Sequence, residues 1–149
     1  MLKLAYKITE LDLEQLLEVY RGSEPDEVDF LDYLREDFFR QEGAFYAIWS
    51  VDDVYKSAVR LEPYRDGLLL YSLETTPNSR REGYAYNLLS QLMQLLRNCD
   101  CKAVYSHVNK RNKPSLNLHD KCGFKVISDT ATYIDGTVTQ NSFTLQYLF

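Results

Sequence analysis

The order in which hydrophobic periods follow one another along this chain predicts an α/β fold, a mixed and mostly antiparallel sheet with helices on both faces. Three observations carry the expectation. Runs of period two, which fit strands, interleave with runs of period 3.6, which fit helices, in the order β-α-α-β-β-β-α-β-α-β-β. Three consecutive strand-like runs are joined by connections so short that they form an antiparallel meander. After them a strand feeds directly into a strongly amphipathic helix and then a further strand, so the sheet is mixed.

Taken in order, Leu2, Leu4, Tyr6 and Ile8 alternate with polar neighbours as one buried face of a strand, and Leu13, Leu16, Leu17 and Tyr20 recur at helical spacing. From Glu24 to Asp37 seven carboxylates stand against one arginine, interleaved with Val28, Phe30, Leu31, Tyr33 and Leu34. That pattern predicts an acidic helix with one apolar face. The meander runs through Ala44 to Ser50, Tyr55 to Glu62 and Leu68 to Thr76, with turn signals at Asp52-Asp53 and from Pro63 to Gly67. Ala85, Leu88, Leu89, Leu92, Leu95 and Leu96 then form a helical stripe ending near Asn98. Ala103 to Val108 reads as a strand. Pro114 opens a short helix that Gly123-Phe124 closes with a glycine cap and a hydrophobic return. Val126 to Ile134 and Ser142 to Leu148 make a last hairpin around Asp135-Gly136.

The 149 residues suffice for one domain, residues 1–149, whose core needs no disulfide or metal, and there is no internal repeat or linker. A net charge of −5 argues against a nucleic-acid partner, which calls for a surplus of Lys and Arg on one face. A neutral or cationic partner fits better. Met1 to Lys7 lacks the apolar core of a signal peptide, and no run of about 18 apolar residues would serve as a membrane helix. The expected location is therefore the cytoplasm, with no membrane partner. Cys99, Cys101 and Cys122 match neither a disulfide framework nor a zinc site and read as reduced, packed thiols. The 12 tyrosines exceed what packing requires, so some are expected to line a cleft.

Two segments carry chemistry. Pro77-Asn78-Ser79-Arg80-Arg81-Glu82-Gly83-Tyr84-Ala85 lies between a strand and a helix and has the form Arg-x-x-Gly-x-Ala. Small residues there let backbone N–H groups at a helix N-terminus approach a pyrophosphate, which the helix dipole also favours. It is neither a Walker loop nor Gly-x-Gly-x-x-Gly. Alone, it fits an ordinary turn with two exposed arginines equally well. One helix and one strand downstream come Asn112-Lys113-Pro114-Ser115 and then Leu116 to Phe124, the layout of a coenzyme cleft between adjacent strands.

Together these residues closely resemble the GNAT superfamily of acyl-CoA N-acyltransferases. The family's Arg-x-x-Gly-x-Gly/Ala loop matches Arg80 to Ala85, and its later Asn-x-x-Ser followed by Lys-x-Gly-Phe matches Asn112 to Phe124. The resemblance covers the chain well from about Ala44 to Phe149. It implies a V-shaped splay between the strands ending at Thr76 and Asn109, with the pantetheine of acetyl-CoA inserted against the first. Leu73 to Thr75 would offer backbone groups to the pantetheine. The amides of Arg81, Glu82, Gly83, Tyr84, Ala85 and Tyr86, next to Arg80, would take the pyrophosphate, and Asn112 and Ser115 would contact the coenzyme from the following loop and helix. The implied reaction is transfer of acetyl from acetyl-CoA to a primary amine of a small molecule or peptide, by direct attack and without a metal.

Presenting a protonated amine as a nucleophile costs about 4 to 5 kcal/mol near pH 7, so a base or water chain must take its proton. The coenzyme thiolate leaves more readily and needs a donor less. Backbone N–H groups near Thr75 would hold the developing oxyanion. The chain departs from the family in two places. Many members carry a base Glu at a position that aligns with Leu69 or Leu70, and a Tyr acid where this chain has His119. Glu74, the nearest carboxylate on that strand, and His119 are therefore the candidate catalytic pair, each set against a purely structural role. Tyr71 and Tyr105 are further cleft candidates, and His107 is expected to be a structural histidine bonded to backbone. Two other readings stay open: a coenzyme-binding regulatory module without turnover, and an interaction domain whose acidic helix holds a basic protein. The last hairpin could supply a homodimer surface.

Overall fold

In the computed structural model of the protein, which describes residues 1–23 and 26–149, nine strands and four α-helices follow one another in the expected order. The first strand, β1 (Leu2–Ala5), is shorter than its alternation suggests, because the Glu10 carboxylate accepts from the amides of Tyr6 and Lys7 and pulls the chain into a 3-10 turn at Ile8–Glu10. Helix α1 (Leu13–Tyr20) is capped by Asp12, which accepts from the Gln15 amide at 3.2 Å. The acidic helix is α2 (Glu27–Glu36), with Asp26 accepting from the amides of Val28 and Asp29. Glu24 and Pro25, at the start of the acidic run, lie outside the described residues.

The meander follows as β2 (Phe45–Val51), β3 (Val54–Tyr64) and β4 (Gly67–Thr75). Helix α3 (Tyr84–Arg97) leads to β5 (Ala103–Asn109), α4 (Lys113–Lys121), β6 (Lys125–Ser128), β7 (Ala131–Thr132), β8 (Val138–Thr139) and β9 (Ser142–Leu148). Seven strands make one sheet in the order β1-β2-β3-β4-β5-β9-β6, antiparallel except for β4 with β5. The run expected as a single strand from Val126 to Ile134 is broken in two. Ser128 Oγ accepts from the Thr130 amide and Thr144 donates to the Thr130 carbonyl, so hydroxyls compete with the ladder there. Beyond the break, β7 and β8 form a separate two-stranded ribbon across the Asp135-Gly136 turn.

Alternation along the strands divides the core between two faces. Tyr46, Ile48 and Ala58 pack under α1 and α2 with Leu16, Val19, Tyr20, Phe30 and Leu34. On the opposite face Phe45, Ala47, Val59, Leu61, Leu70 and Val104 meet Leu88, Leu89, Leu92, Met93 and Leu96 of α3. Each of these buried α3 side chains is worth about 1.5–3 kcal/mol, which is why the leucine stripe fixes the helix. Helix α4 adds Leu116 and Leu118 to the same core, and Phe124 just beyond its end joins them. It ends as expected. The Gly123 amide bonds the Asp120 carbonyl, the Phe124 amide bonds the His119 carbonyl, and Gly123 has φ +99°. Among the described residues no helix is long and apolar enough to cross a membrane.

Candidate active site

The centre of the molecule is the one parallel strand pair. Pairing of β4 with β5 runs only through Leu68–Val104, Leu69–Tyr105 and Leu70–Ser106. Beyond that point β4 stays beside β3 as far as Thr75, and β5 stays beside β9 as far as Asn109. Two strands that each keep their outer partner and lose one another form a V. At its base the strands are very close, since a Cβ on Gly67 would lie 1.9 Å from the Ala103 carbonyl oxygen, so only glycine fits.

Where the V opens, β4 carries a bulge. Ala58 pairs with Glu74 and Arg60 with Tyr71, so Ser72 and Leu73 together stand opposite Val59. Ser72 takes φ +53°, a left-handed conformation that costs a non-glycine residue about 1–2 kcal/mol. The extra residue changes the phase of the strand. Leu73 turns into the α3 core, while Glu74 shares the face of Ala58, the side of α1 and α2. Glu74, half-buried, lies 4.0 Å from the Arg80 guanidinium, and Ser57 donates to its carbonyl at 2.8 Å. Among the described residues the edge of β4 that includes Leu73 and Thr75 has no strand partner on the β5 side.

Directly after β4 comes a 3-10 turn at Pro77–Ser79 and then the loop Arg80 to Gly83, which opens α3. Arg81 has φ +66° and Gly83 φ +83°, two left-handed residues just ahead of α3. The other α-helices are N-capped by Asp12, Asp26 and Asn112, but α3 starts on Gly83 with no side-chain cap. Among the described residues the amides of Arg81 to Tyr86 reach no protein acceptor, and nothing lies within 4 Å of where a Gly83 Cβ would be. Unbonded N–H groups at a helix start with open space beside Gly83 suit an anion. Two cations that the sequence did not flag stand at this loop. Lys56 Nζ is 5.7 Å from the Tyr84 ring and Lys121 Nζ is 5.0 Å from the Tyr86 ring. Arg80 leans the other way, against Gly22 and Glu74.

Asn112 caps α4, accepting from the Ser115 amide at 3.2 Å. His119 is placed differently from an exposed donor in the cleft. It is 2% exposed, its Nδ1 donates to the Ser115 carbonyl at 2.7 Å, and its Nε2 then accepts from Ser106 Oγ at 2.9 Å. Burial lowers its pKa, a shift that the bond to Ser115 offsets only in part. Ser106 is the last residue of β5 paired with β4, so the histidine reaches the vertex of the V through that hydroxyl.

On the α1/α2 side, aromatic groups surround the opening. Tyr71 and Tyr33 share a hydroxyl hydrogen bond of 2.8 Å, and Tyr105 donates to Asp66 at 2.6 Å. His107 is not bonded to backbone as expected; its ring sits edge-on to Tyr64 and Tyr133, with Nε2 3.5 Å from the Tyr64 hydroxyl. Glu62, a carboxylate that the sequence did not single out, is 7% exposed on the same face and pairs across the sheet with Leu69. A polar cleft of about 350 Å³, lined by Asn109, Lys110, Arg111, Gln140 and Asn141, opens at the end of β5. Burial raises the pKa of Cys101 and pushes Cys122 up to about 11, which makes both weak nucleophiles. Among the described residues no group of three His, Cys, Asp or Glu side chains is placed to hold a metal ion.

No curated protein matches the sequence. Solved structures share the fold over the whole chain. A ribosomal-protein-alanine N-acetyltransferase from Brucella melitensis aligns with TM-score 0.74 at 19% identity, covering 100% of this chain and 99% of that one. A spermidine N-acetyltransferase chimera from Vibrio cholerae and hSSAT gives 0.75 at 16%, covering 99% and 95%. The PaiA N-acetyltransferase from Thermoplasma acidophilum, solved in complex with coenzyme A, gives 0.64 at 16%, covering 100% and 99%. Residues 6–124 match the acetyltransferase (GNAT) family, and with the splayed strand pair and the amide-lined loop between β4 and α3 in view, the chain belongs to that family of acyltransferases.

Proposed function

We propose that the protein moves the acetyl group of acetyl-CoA to a primary amine by direct attack in a ternary complex. The observation that supports this most is the open β4 edge running straight into the uncapped, amide-lined start of α3. The residues present fit the coenzyme. Arg81 to Tyr86 would receive the diphosphate with Lys56 and Lys121 nearby, Leu73 and Thr75 would pair with the pantetheine, and Arg80, Asn112 and Ser115 would flank them. Bound there, acetyl-CoA supplies an acyl group already attached to a good leaving group.

The chain's own residues do the rest. Glu74, turned by the bulge to the side of α1 and α2, accepts the ammonium proton directly or through water. A backbone amide near Thr75 faces the negative charge that develops on the carbonyl oxygen. His119 accepts the hydrogen bond of the Ser106 hydroxyl and so holds that group at the base of the V, while the thiolate leaves as the anion and takes its proton from solvent. The raised thiol pKa values of Cys101 and Cys122 favour direct attack over a covalent acyl-cysteine. Tyr33, Tyr71, Tyr64, Tyr105 and Glu62 on the acceptor side, beside the acidic α2, suit a cationic or neutral amine.

The test is release of coenzyme thiol from acetyl-CoA with a panel of amines: polyamines, amino acids, aminoglycosides, and peptides with free N-termini or lysines. Release proportional to protein concentration with at least one amine is expected, and Glu74→Gln should slow it about tenfold or more while coenzyme affinity holds. Binding of acetyl-CoA with no thiol release for any amine would overturn the reading.

A further inference from the structure

The bulge that turns Glu74 toward the acceptor side depends on Ser72, whose positive φ no local feature of the sequence favours, since serine gains nothing there that an extended strand would deny it. Such a conformation persists only where its surroundings over-determine it. Here two side chains grip the residue from different elements. The Tyr20 hydroxyl of α1 donates to the Ser72 carbonyl oxygen at 2.6 Å, and Arg60 Nη2 of β3 donates to Ser72 Oγ. Burial raises the Tyr20 pKa well above that of a free tyrosine, so its hydroxyl stays a donor at any working pH.

Arg60 is itself held from all sides. It is 5% exposed, its Nη1 donates to the Tyr46 hydroxyl at 3.4 Å, and its guanidinium carbon lies 5.0 Å from the Tyr71 ring, 5.1 Å from Tyr33, 5.6 Å from Phe30 and 5.8 Å from Tyr20. Ring faces at these distances attract a guanidinium and fix its plane. The group therefore links α1, α2, β2, β3 and β4 at one point, and that point is the residue on which the strand changes phase. A strand without the bulge would place Leu73 on the acceptor side and Glu74 in the α3 core.

We infer that Arg60 is a positioning residue, which with Tyr20 clamps Ser72 in its left-handed conformation and thereby aims Glu74 and the open edge of β4 at the reacting groups. The catalytic consequence rests on the acyl-transfer reading above; the clamp itself does not. Arg60 is buried and bonded to Ser72, so its effect travels through the backbone of Ser72.

Two readouts separate these parts. The backbone state is read by NMR as the strong intraresidue contact between the amide and α protons that a positive φ gives Ser72. Turnover is read as thiol release from acetyl-CoA with the best amine of the panel. In Arg60→Met the Ser72 signature should vanish and kcat should fall about ten- to a hundredfold, while KM for acetyl-CoA moves less than about threefold. Adding Ser72→Gly should bring kcat back to within about threefold of the wild type, because glycine adopts the positive φ without a clamp. If Arg60→Met does not fold, Tyr20→Phe with and without Ser72→Gly makes the same comparison. A retained Ser72 signature in the clamp variants, or a loss of kcat that Ser72→Gly does not restore, would overturn the inference. Absence of thiol release from the wild type would strike the acyl-transfer reading instead, and the NMR arm would still decide the clamp.

Discussion

With Nδ1 bonded to the Ser115 carbonyl and Nε2 accepting from Ser106, His119 is a neutral imidazole that burial keeps from charging. A neutral ring in that tautomer has no proton to give on the Ser106 side, so in the proposed reaction it is a positioning residue that holds the Ser106 hydroxyl at the vertex of the V. His119→Phe removes that acceptor and should slow thiol release about tenfold with coenzyme affinity unchanged within about threefold. A folded His119→Phe protein with wild-type kcat would assign the ring to packing. That His119 lies on the short helix was legible in the sequence; its burial and its partner Ser106, 13 residues away on another element, were not. Glu62 was hidden for the same reason. It pairs with Leu69, one of the two positions at which many family members carry a carboxylate, but that proximity exists only once the β3–β4 register is set.

At the scale of elements, the start of α3 carries the most weight. Gly83 has a positive φ and open space at its α-carbon, so a branched side chain there meets both backbone strain and the volume that a diphosphate would need. Gly83→Val should lower acetyl-CoA affinity at least about tenfold by calorimetry in a protein that still folds. Unchanged affinity would place the coenzyme elsewhere. Helix α3 and the meander were readable because long amphipathic stripes and short turns leave little choice. The bulge was not, because Ser72 and Leu73 continue an acceptable alternation and what displaces them, Tyr20 and Arg60, comes from α1 and β3. The split between β6 and β7 was missed because local hydroxyl hydrogen bonds outweigh strand propensity there.

For the molecule as a whole, the buried His119 and the half-buried His107 make stability fall on the acid side of neutrality. The pKa values of His119 and His107 are both lowered by burial, with Arg65 adding to the effect at His107. Between those lowered values and the ordinary 6.5 the unfolded chain binds protons that the folded one refuses. Their contribution is therefore complete above about pH 6.5 and is lost as pH falls through the folded-state values. The urea midpoint should drop when pH is lowered from neutral to about 5, and His119→Gln should make that drop shallower. A midpoint that holds or rises would show that neither ring is held neutral by the fold. The same architecture leaves the β4 edge open and carries Glu74 on the α1/α2 side of that strand, and the proposed reaction passes acetyl to the amine without parking it on the protein. A rapid-quench experiment with acetyl-CoA labelled with ¹³C in its acetyl group, analysed by mass spectrometry in a single turnover, tests that directly. The label should pass to the amine nitrogen with no acetylated protein at any time, whereas acetyl appearing first on Cys99, Cys101 or Cys122, or never reaching an amine, would contradict the account.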